Sequence, residues 1–259
     1  VMDNKKVLMV ISVIGFSLLL IGVSVIGTYL VLDSQNKQET VLTPSAEIPF
    51  EQDLAQVGQV DLQNHAENLN IDTSIELIQD ENSDLIFMRE EEKLARDVYL
   101  ALYDKWGLQI FQNIAKSEQK HTDSLKTLLD SYNLEDPFVD ELGSFTNPDL
   151  QALYTQLVLQ GSISIVEALK VGALIEDLDI VDLEKAMSRT TNPAILTVYE
   201  NLQRGSRNHI RSFTQTLSRY GESYTPTYLT QEEYLEIIGS GNESGGNSSG
   251  SGNGYQGGK

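Results

Sequence analysis

Glutamate and histidine side chains occupy several helical positions where the surrounding pattern calls for apolar residues. Residues three or four apart share one face of an α-helix, so a buried face is marked by an apolar stripe with that spacing. The residues that interrupt such stripes, on what would be four separate helices, are Glu92, Glu118, His121, Glu176 and His209. Because carboxylates are almost never fully buried unless they are paired or bound to a metal, this pattern predicts a buried metal site.

Glu118 and His121 are three residues apart, so both side chains leave the same face of a helix. Carboxylates and imidazoles from facing helices suit hard-to-borderline cations. We therefore expect iron or manganese, with zinc less favoured, and two ions bridged by carboxylates with one histidine each. Such a centre can react with peroxide or dioxygen.

Three further positions bear on the ligand set. Asp179 lies one turn after Glu176 and is a candidate accessory ligand. Glu91 lies slightly further from the stripe than Glu92 and is the alternative first-helix ligand. Tyr99 lies two turns after Glu92 on the same stripe. We expect first a core tyrosine whose hydroxyl is hydrogen-bonded; the alternative is that it donates a hydrogen bond to a ligand or acts as a redox relay.

The basic residues are not placed to neutralise the carboxylates that are expected to be buried. Glu90 is expected to face solvent together with Lys93 and Asp97, and Arg96 is the best partner for Glu92, although it lies off the stripe. The other basic residues considered fall on faces away from the cores: Lys116, Lys120, Lys170, Lys185, Arg204, Arg207 and Arg211. We therefore expect that a bound cation, rather than a basic side chain, neutralises the inward carboxylates.

Capping and breaking residues predict an all-α fold with four long helices and two short ones. The long helices are expected at residues 84–106, 109–132, 164–188 and 193–220, and the short ones at 148–161 and 231–238. The turn at Gly107 makes the first two helices antiparallel neighbours, and the helix at 148–161 lies within a long crossover. Two helix pairs joined by a long connection have the topology of a ferritin-like four-helix bundle.

Composition narrows the functional class. The chain has 259 residues with 38 acidic against 18 Lys and Arg residues, a formal charge of -20, which disfavours binding to nucleic acid. It has no cysteine, which excludes disulfides, iron–sulfur clusters and thiolate ligands. Any metal must therefore be held by oxygen and nitrogen.

The ends of the chain differ from its middle. Residues 1–32 contain a charge-free run from Val7 to Leu32 behind two lysines, which predicts an uncleaved membrane anchor with a cytoplasmic N-terminus; a cleaved signal sequence is the alternative. Residues 33–72 are expected to be a polar, acidic linker, residues 73–238 the folded domain, and residues 239–259 a flexible tail rich in Gly, Ser and Asn. The domain would then lie on the extracytoplasmic side, or be secreted if the signal is cleaved.

Several motifs closely resemble a prokaryotic ferritin-like family known as domain of unknown function 2202. The likeness covers about Thr73 to Ile238, and the segments that carry it are Met88 to Tyr99, Ile114 to His121, Gly172 to Glu176, and Glu200 to His209. This resemblance implies a ferritin-like bundle with a di-iron centre, similar in architecture to rubrerythrins and bacterioferritins.

The resemblance also assigns roles to individual residues. It implies one ligand from the first helix, a pair from the second, one from the third and a histidine from the fourth, which correspond to Glu92, Glu118, His121, Glu176 and His209. The fourth helix departs from the ferritin-like pattern, because Ser206 stands where a glutamate is usual. Asp179 is placed to restore that carboxylate, so two metals are expected and one metal stays open.

Together these features predict a membrane-tethered ferritin-like metalloprotein whose centre reacts with peroxide or dioxygen. Without a rubredoxin-like module, its electrons would come from a separate donor or from the metal itself. Two alternatives stay open: a metal-binding module without turnover, and a metal-free bundle that serves in surface interactions. The oligomeric state is open, a homo-oligomer included.

Overall fold

The computed structural model describes residues 71–244, which form helices joined by loops, with no strand in that range. The helices are α1 Gln79–Trp106, α2 Gln109–Ser131, α3 Pro148–Gly161, α4 Ile165–Met187, α5 Pro193–Arg219 and α6 Gln231–Gly239. The predicted all-α class is confirmed for this part of the chain. None of these helices combines the length and the apolar character that crossing a membrane requires. The predicted anchor at 1–32, nearly all of the predicted linker, and the tail beyond residue 244 lie outside the described residues.

The helix boundaries agree with the predicted ones to within about a residue, except at the start of α1. The predicted start at residue 84 is wrong, because α1 begins at Gln79 and Ile78 is its N-cap residue. The backbone N–H of Ile78 donates to Glu81 Oε2 (2.9 Å), while the Ser83 hydroxyl donates to the carbonyl of Gln79 inside the helix. The N-cap residue thus makes no side-chain cap, and its own backbone N–H is satisfied by a carboxylate of the first turn.

The four long helices form a closed ring around the core. α1 packs mainly on α2 and α4 mainly on α5, and contacts of α2 with α5 and of α1 with α4 complete the ring. α3 lies across α1 and α4, and α6 packs on α5. Two apolar clusters fill the interior, one around Tyr99, Phe111 and Phe213 and the other around Leu128 and Tyr199. On each long helix, the candidate ligands fall between residues of these two clusters.

The outer face of α1 differs from the expectation. Glu90, Lys93 and Asp97 do not face solvent but are buried, so that prediction is wrong. Glu90 Oε1 accepts hydrogen bonds from the backbone of the 132–147 connection, at Thr146 (2.6 Å), and Asp97 accepts one from Gly143 (2.8 Å). The connection between α2 and α3 therefore covers this face, and the polar side chains of α1 satisfy its backbone groups.

The basic residues of α1 near this connection also make polar contacts on the outer face of the helix. Lys93 donates to Asp97 (2.5 Å) and to two carbonyls of the connection. Arg96 pairs with Asp97 (2.7 Å) rather than with Glu92, so the suggested partner of that ligand is wrong. Arg89 pairs with Asp136 (3.0 Å). These three cations lie on the side of α1 that the connection covers, so they do not neutralise the carboxylates of the interior.

Residues 239–244, the described part of the predicted tail, make specific contacts with α5. The carboxylate of Glu243 accepts from Arg207 (2.5 Å) and Arg211 (2.7 Å). The side-chain amide of Asn208 donates to the carbonyl of Glu243 (3.0 Å) and accepts from its N–H (2.9 Å). Arg211 is thus buried, contrary to its expected position on an outer face.

Candidate metal centre

The first half of the candidate site lies between α1 and α2. Nδ1 of His121 is 2.7 Å from Glu118 Oε2 and 3.1 Å from Glu92 Oε2. All three side chains are buried, and their ligand atoms lie within 4.8 Å of one another. Two carboxylates and one imidazole in this arrangement can hold a cation.

The second half joins α2 to α4 and α5. Nδ1 of His209 is 2.7 Å from Glu118 Oε1 and 3.4 Å from Glu176 Oε2. The imidazoles of His209 and His121 are stacked, with ring centroids 5.6 Å apart. Glu118 therefore belongs to both halves and presents one carboxylate oxygen to each. This is the arrangement expected of a carboxylate that bridges two ions.

Several ligand atoms of the site lack hydrogen-bond partners, although they are buried. His209 Nδ1 and Glu118 Oε1 lie 2.7 Å apart, yet neither makes a hydrogen bond of acceptable geometry. The other such atoms among the ligand candidates are Glu92 Oε1, His121 Nε2 and Asp179 Oδ1. Buried polar atoms are normally paired, so these lone pairs and N–H groups require a further partner. Close contacts without hydrogen-bond geometry fit groups that share a cation, and the donor set therefore fits a metal.

The charges of the site are strongly coupled. Burial raises the pKa of the Glu92 carboxyl to about 8 and also raises the pKa of Glu176. Burial acts in the same direction on Glu118, but His209 and His121 hold the pKa of that carboxyl below its usual range. For His209, burial works against the charged form, yet Glu118 and Glu176 raise its pKa to about 10. The carboxylates and the imidazoles thus shift one another's pKa values, as oppositely charged groups in close contact do.

A glycine of α5 makes room for one imidazole. A Cβ atom added to Gly205 would lie 2.6 Å from both Cε1 and Nε2 of His121, closer than real Cβ contacts allow. Glycine inside a helix costs about 1 kcal/mol relative to alanine, so a buried helical glycine needs a reason. Gly205 lies four residues before His209 and so on the same face of the helix, but residue spacing alone indicates no role for it.

Tyr99 contacts the second half of the site. Its hydroxyl donates to Glu176 Oε1 (2.5 Å) and lies 3.3 Å from the carbonyl of Gly172. Its ring packs against Phe213, with centroids 5.3 Å apart. The hydroxyl is thus satisfied, and it orients one candidate ligand.

Asp179 and Glu91 are buried beside the two groups but belong to neither. Asp179 accepts a hydrogen bond from Ser206, the residue that stands where a glutamate is usual. Burial, followed by the neighbouring charges of Glu92 and Glu176, raises the pKa of Asp179 well above its usual range. Asp179 is therefore close to the ligands, with Ser206 fixing one of its oxygens.

Comparisons with known proteins agree with one another. A protein of Methanocaldococcus jannaschii named uncharacterized protein MJ0754 is 58% identical over 168 residues, which make up 64% of this chain and 91% of that protein. A crystal structure of hypothetical protein MJ0754 from Methanococcus jannaschii DSM 2661 superposes with a TM-score of 0.64 at 58% identity, covering 64% of this chain and 96% of that one. Residues 81–241 match the family model described as uncharacterized protein domain (DUF2202). The chain therefore belongs to the DUF2202 family.

Proposed function

We propose that this chain is a ferritin-like four-helix-bundle metalloprotein that binds a pair of transition-metal ions, iron or manganese, and reacts with peroxide or dioxygen. The observation that carries the proposal is the position of Glu118, whose two oxygens each face a separate histidine at 2.7 Å. Zinc fits the same donors but has no redox chemistry of its own. The helix ring and the helical crossover between its two pairs support the ferritin-like architecture.

Each residue has a distinct part in this proposal. Glu118 would bridge the two ions, Glu92 and His121 would complete one coordination sphere, and Glu176 and His209 would complete the other. When bound, such a pair supplies one-electron and two-electron chemistry toward oxygen species. The protein holds the ligands in place and, through the apolar clusters on either side, keeps bulk water away from them.

The site is asymmetric in its access to solvent. His121 is fully buried, whereas His209 keeps 7% of its surface exposed. We therefore expect the oxidant to approach from the side of His209. The membrane anchor, the extracytoplasmic location and a separate electron donor stay predictions from the sequence.

The proposal is tested by metal analysis of the full chain, first stripped by a chelator and then reconstituted with Fe²⁺ or Mn²⁺. We expect about two ions per chain, and Glu118→Gln should lose both because it removes the charge of the bridge. The exposed Glu184 of α4 provides the control, since Glu184→Gln changes the net charge equally and should keep both ions. A wild-type protein that stays metal-free would refute the proposal.

A metal-binding module without turnover is separated by a second measurement. The loaded protein should consume hydrogen peroxide over many turnovers when a reductant is supplied. A single stoichiometric oxidation would instead identify a binding or storage role with the same ligands.

A further inference from the structure

Arginines are concentrated on one face of α5. Four of the seven arginines of the chain lie on this helix, and they are Arg204, Arg207, Arg211 and Arg219. At about 100° per residue, these positions fall within a sector of about 120°. The sector faces α6, because Nε of Arg211 donates to the carbonyl of Ile237 (2.7 Å). This face is therefore a local concentration of positive charge in a protein whose net charge is -20.

The contacts of Glu243 show what this face of α5 binds. Arg207 and Arg211 both donate to its carboxylate, at 2.5 and 2.7 Å. The side chain of Asn208 pairs with the N–H and the C=O of the same residue, at 2.9 and 3.0 Å. Asn208 and Arg211 are only 3% and 8% exposed, so buried side chains form the site. Two arginines thus bind an acid while an amide binds the backbone, a combination that fits an acidic residue within a polypeptide.

A cavity of about 740 Å³ lies beside this contact and is lined by both Arg211 and Arg219. Its volume is within the range of about 300–1,000 Å³ that is usual for binding pockets. The single carboxylate among its lining residues belongs to Glu222, which lies 3.4 Å from Lys170. A neighbouring cavity of about 330 Å³ is lined by three glutamates of α4 and α6 besides Glu243, so it does not suit an anion. The larger cavity is therefore the one that extends the site.

We propose that this face of α5 is a recognition site for an extended acidic segment of a partner polypeptide, and that Glu243 occupies one end of it in cis. The partner would place one acidic side chain at Arg207 and Arg211 and a second at Arg219. A polypeptide fits better than a nucleic acid, because the net charge of -20 repels a long polyanion. This site does not depend on the metal centre.

The spacing of the arginines defines the sequence that the site selects. Arg211 and Arg219 are eight residues apart on α5, which is about 12 Å along the helix axis. An extended chain advances about 3.3 Å per residue, so about four residues cover this distance, and residues four apart project to the same side of such a chain. The site should therefore prefer two acidic residues four positions apart.

The tail acts as an internal competitor for this site. Glu243 follows the end of α6 at Gly239 by four residues. Such a short tether gives an effective concentration on the order of millimolar. A partner must displace Glu243, so its apparent affinity falls with the fraction of molecules in which the site is open. A segment that also contacts Arg219 has the additional contact that this displacement requires.

The test uses the full chain and fluorescein-labelled peptides, with fluorescence anisotropy as the measure of Kd. The probe peptide carries two glutamates four positions apart among glycine, serine and asparagine, and matched peptides carry glutamine in place of one glutamate or of both. We expect Glu243→Gln to bind the two-glutamate peptide at least about tenfold more tightly than the wild type does, because the internal competitor loses its ion pairs. The one-glutamate peptide should bind this variant about tenfold more weakly than the two-glutamate peptide.

Further substitutions in the Glu243→Gln background make the result specific. Arg219→Gln should remove the preference for the second glutamate and leave the affinity for the one-glutamate peptide unchanged. Arg207→Gln should weaken the binding of both peptides. The exposed Lys126 of α2 provides the control, since Lys126→Gln changes the net charge equally and should change neither affinity. If Glu243→Gln does not fold, Glu243→Asp replaces it, because the shorter side chain keeps the charge but reaches the arginines less well.

Three results would overturn the proposal. The first is that Glu243→Gln binds the two-glutamate peptide no more tightly than the wild type does. The second is that it binds this peptide no more tightly than the peptide without glutamate. The third is a preference for the second glutamate that survives Arg219→Gln. None of these measurements involves metal content, so the recognition site and the metal-binding function stand or fall separately.

Discussion

Replacing Gly205 by alanine tests the metal centre through a contact that lies outside the ligand set. The added Cβ would lie 2.6 Å from two atoms of the His121 ring, whereas ordinary contacts begin at 3.4 Å. The ring must therefore move by roughly 0.8 Å, because the backbone of two packed helices yields less easily than a side chain. His121 cannot move freely, since it is fully buried and its Nδ1 lies between Glu92 and Glu118.

Two opposing terms set the effect on stability. Alanine is better than glycine inside a helix by about 1 kcal/mol. Overpacking a tight interior costs about 1–3 kcal/mol. The net change in the free energy of unfolding of the metal-free protein should therefore be a loss of about 0–2 kcal/mol, small enough for the fold to survive.

The effect on metal binding should be larger. Ligands must be held within about 0.5 Å of their productive positions, so a displaced His121 should weaken the half of the centre that it shares with Glu92. We expect Gly205→Ala to bind one Mn²⁺ tightly, at His209 and Glu176, and the other at least about tenfold more weakly. A titration that counts tight sites, together with thermal unfolding, measures both quantities.

Gly161 provides a matched control. A Cβ there would meet a side-chain carbon of Leu102 at 2.7 Å, a comparable overlap with an aliphatic group of the core. Gly161→Ala should lose similar stability and keep both metal ions. If Gly205→Ala retained two tight ions with wild-type affinity, the placement of His121 as a ligand would be refuted.

Two other perturbations have clear expected outcomes. Tyr99→Phe leaves Glu176 Oε1 without its donor, so the half of the centre containing Glu176 should bind Mn²⁺ about 10-fold to 100-fold more weakly in a titration, and unchanged affinity would show that the hydroxyl does not position this ligand. Hydrogen bonds from Arg207, with a smaller contribution from Arg211, outweigh burial and lower the pKa of Glu243 from 4.5 to about 2. The stabilising contribution of the Glu243 carboxylate is therefore present above pH 4.5 and is lost as the pH falls through about 2. Urea unfolding should therefore show Glu243→Gln to be less stable than wild type by about 1–2 kcal/mol at pH 6, after allowance for solvent screening, with the difference vanishing near pH 2; a constant difference would contradict the ion pairs.

The helical elements could be predicted from the sequence because their signals are local. Apolar spacing and the Asn-Pro caps define the starts of α3 and α5. The same periodicity reveals Glu118 and His121 as polar residues on an apolar face, and the structure places both in a buried cluster. Local pattern is sufficient wherever the partner of a residue is simply the core.

Contacts between distant segments could not be predicted in this way. Periodicity identified the outer side of α1 as polar, but it could not show that the connection after α2 would cover Glu90, since that depends on the path of a loop. The role of Gly205 depends on which side chain faces it across the helix pair. The ion pairs of Arg207 and Arg211 with Glu243 depend on the direction that the chain takes after α6. Each requires the relative position of two elements, which residue spacing on one helix does not contain.

The buried polar residues of this domain fall into two groups that differ in how their charges are satisfied. On the outer face of α1, Asp97 is surrounded by donors, including Lys93 and a backbone N–H, and needs no ligand. In the interior, Glu92 and Asp179 keep oxygens without partners. Because both groups occur in one fold, a general tolerance for buried charge does not explain the interior acids. The contrast supports a cation as the missing partner, and it predicts that metal binding should raise the stability of the whole domain, since the ions bind only when the four helices are assembled.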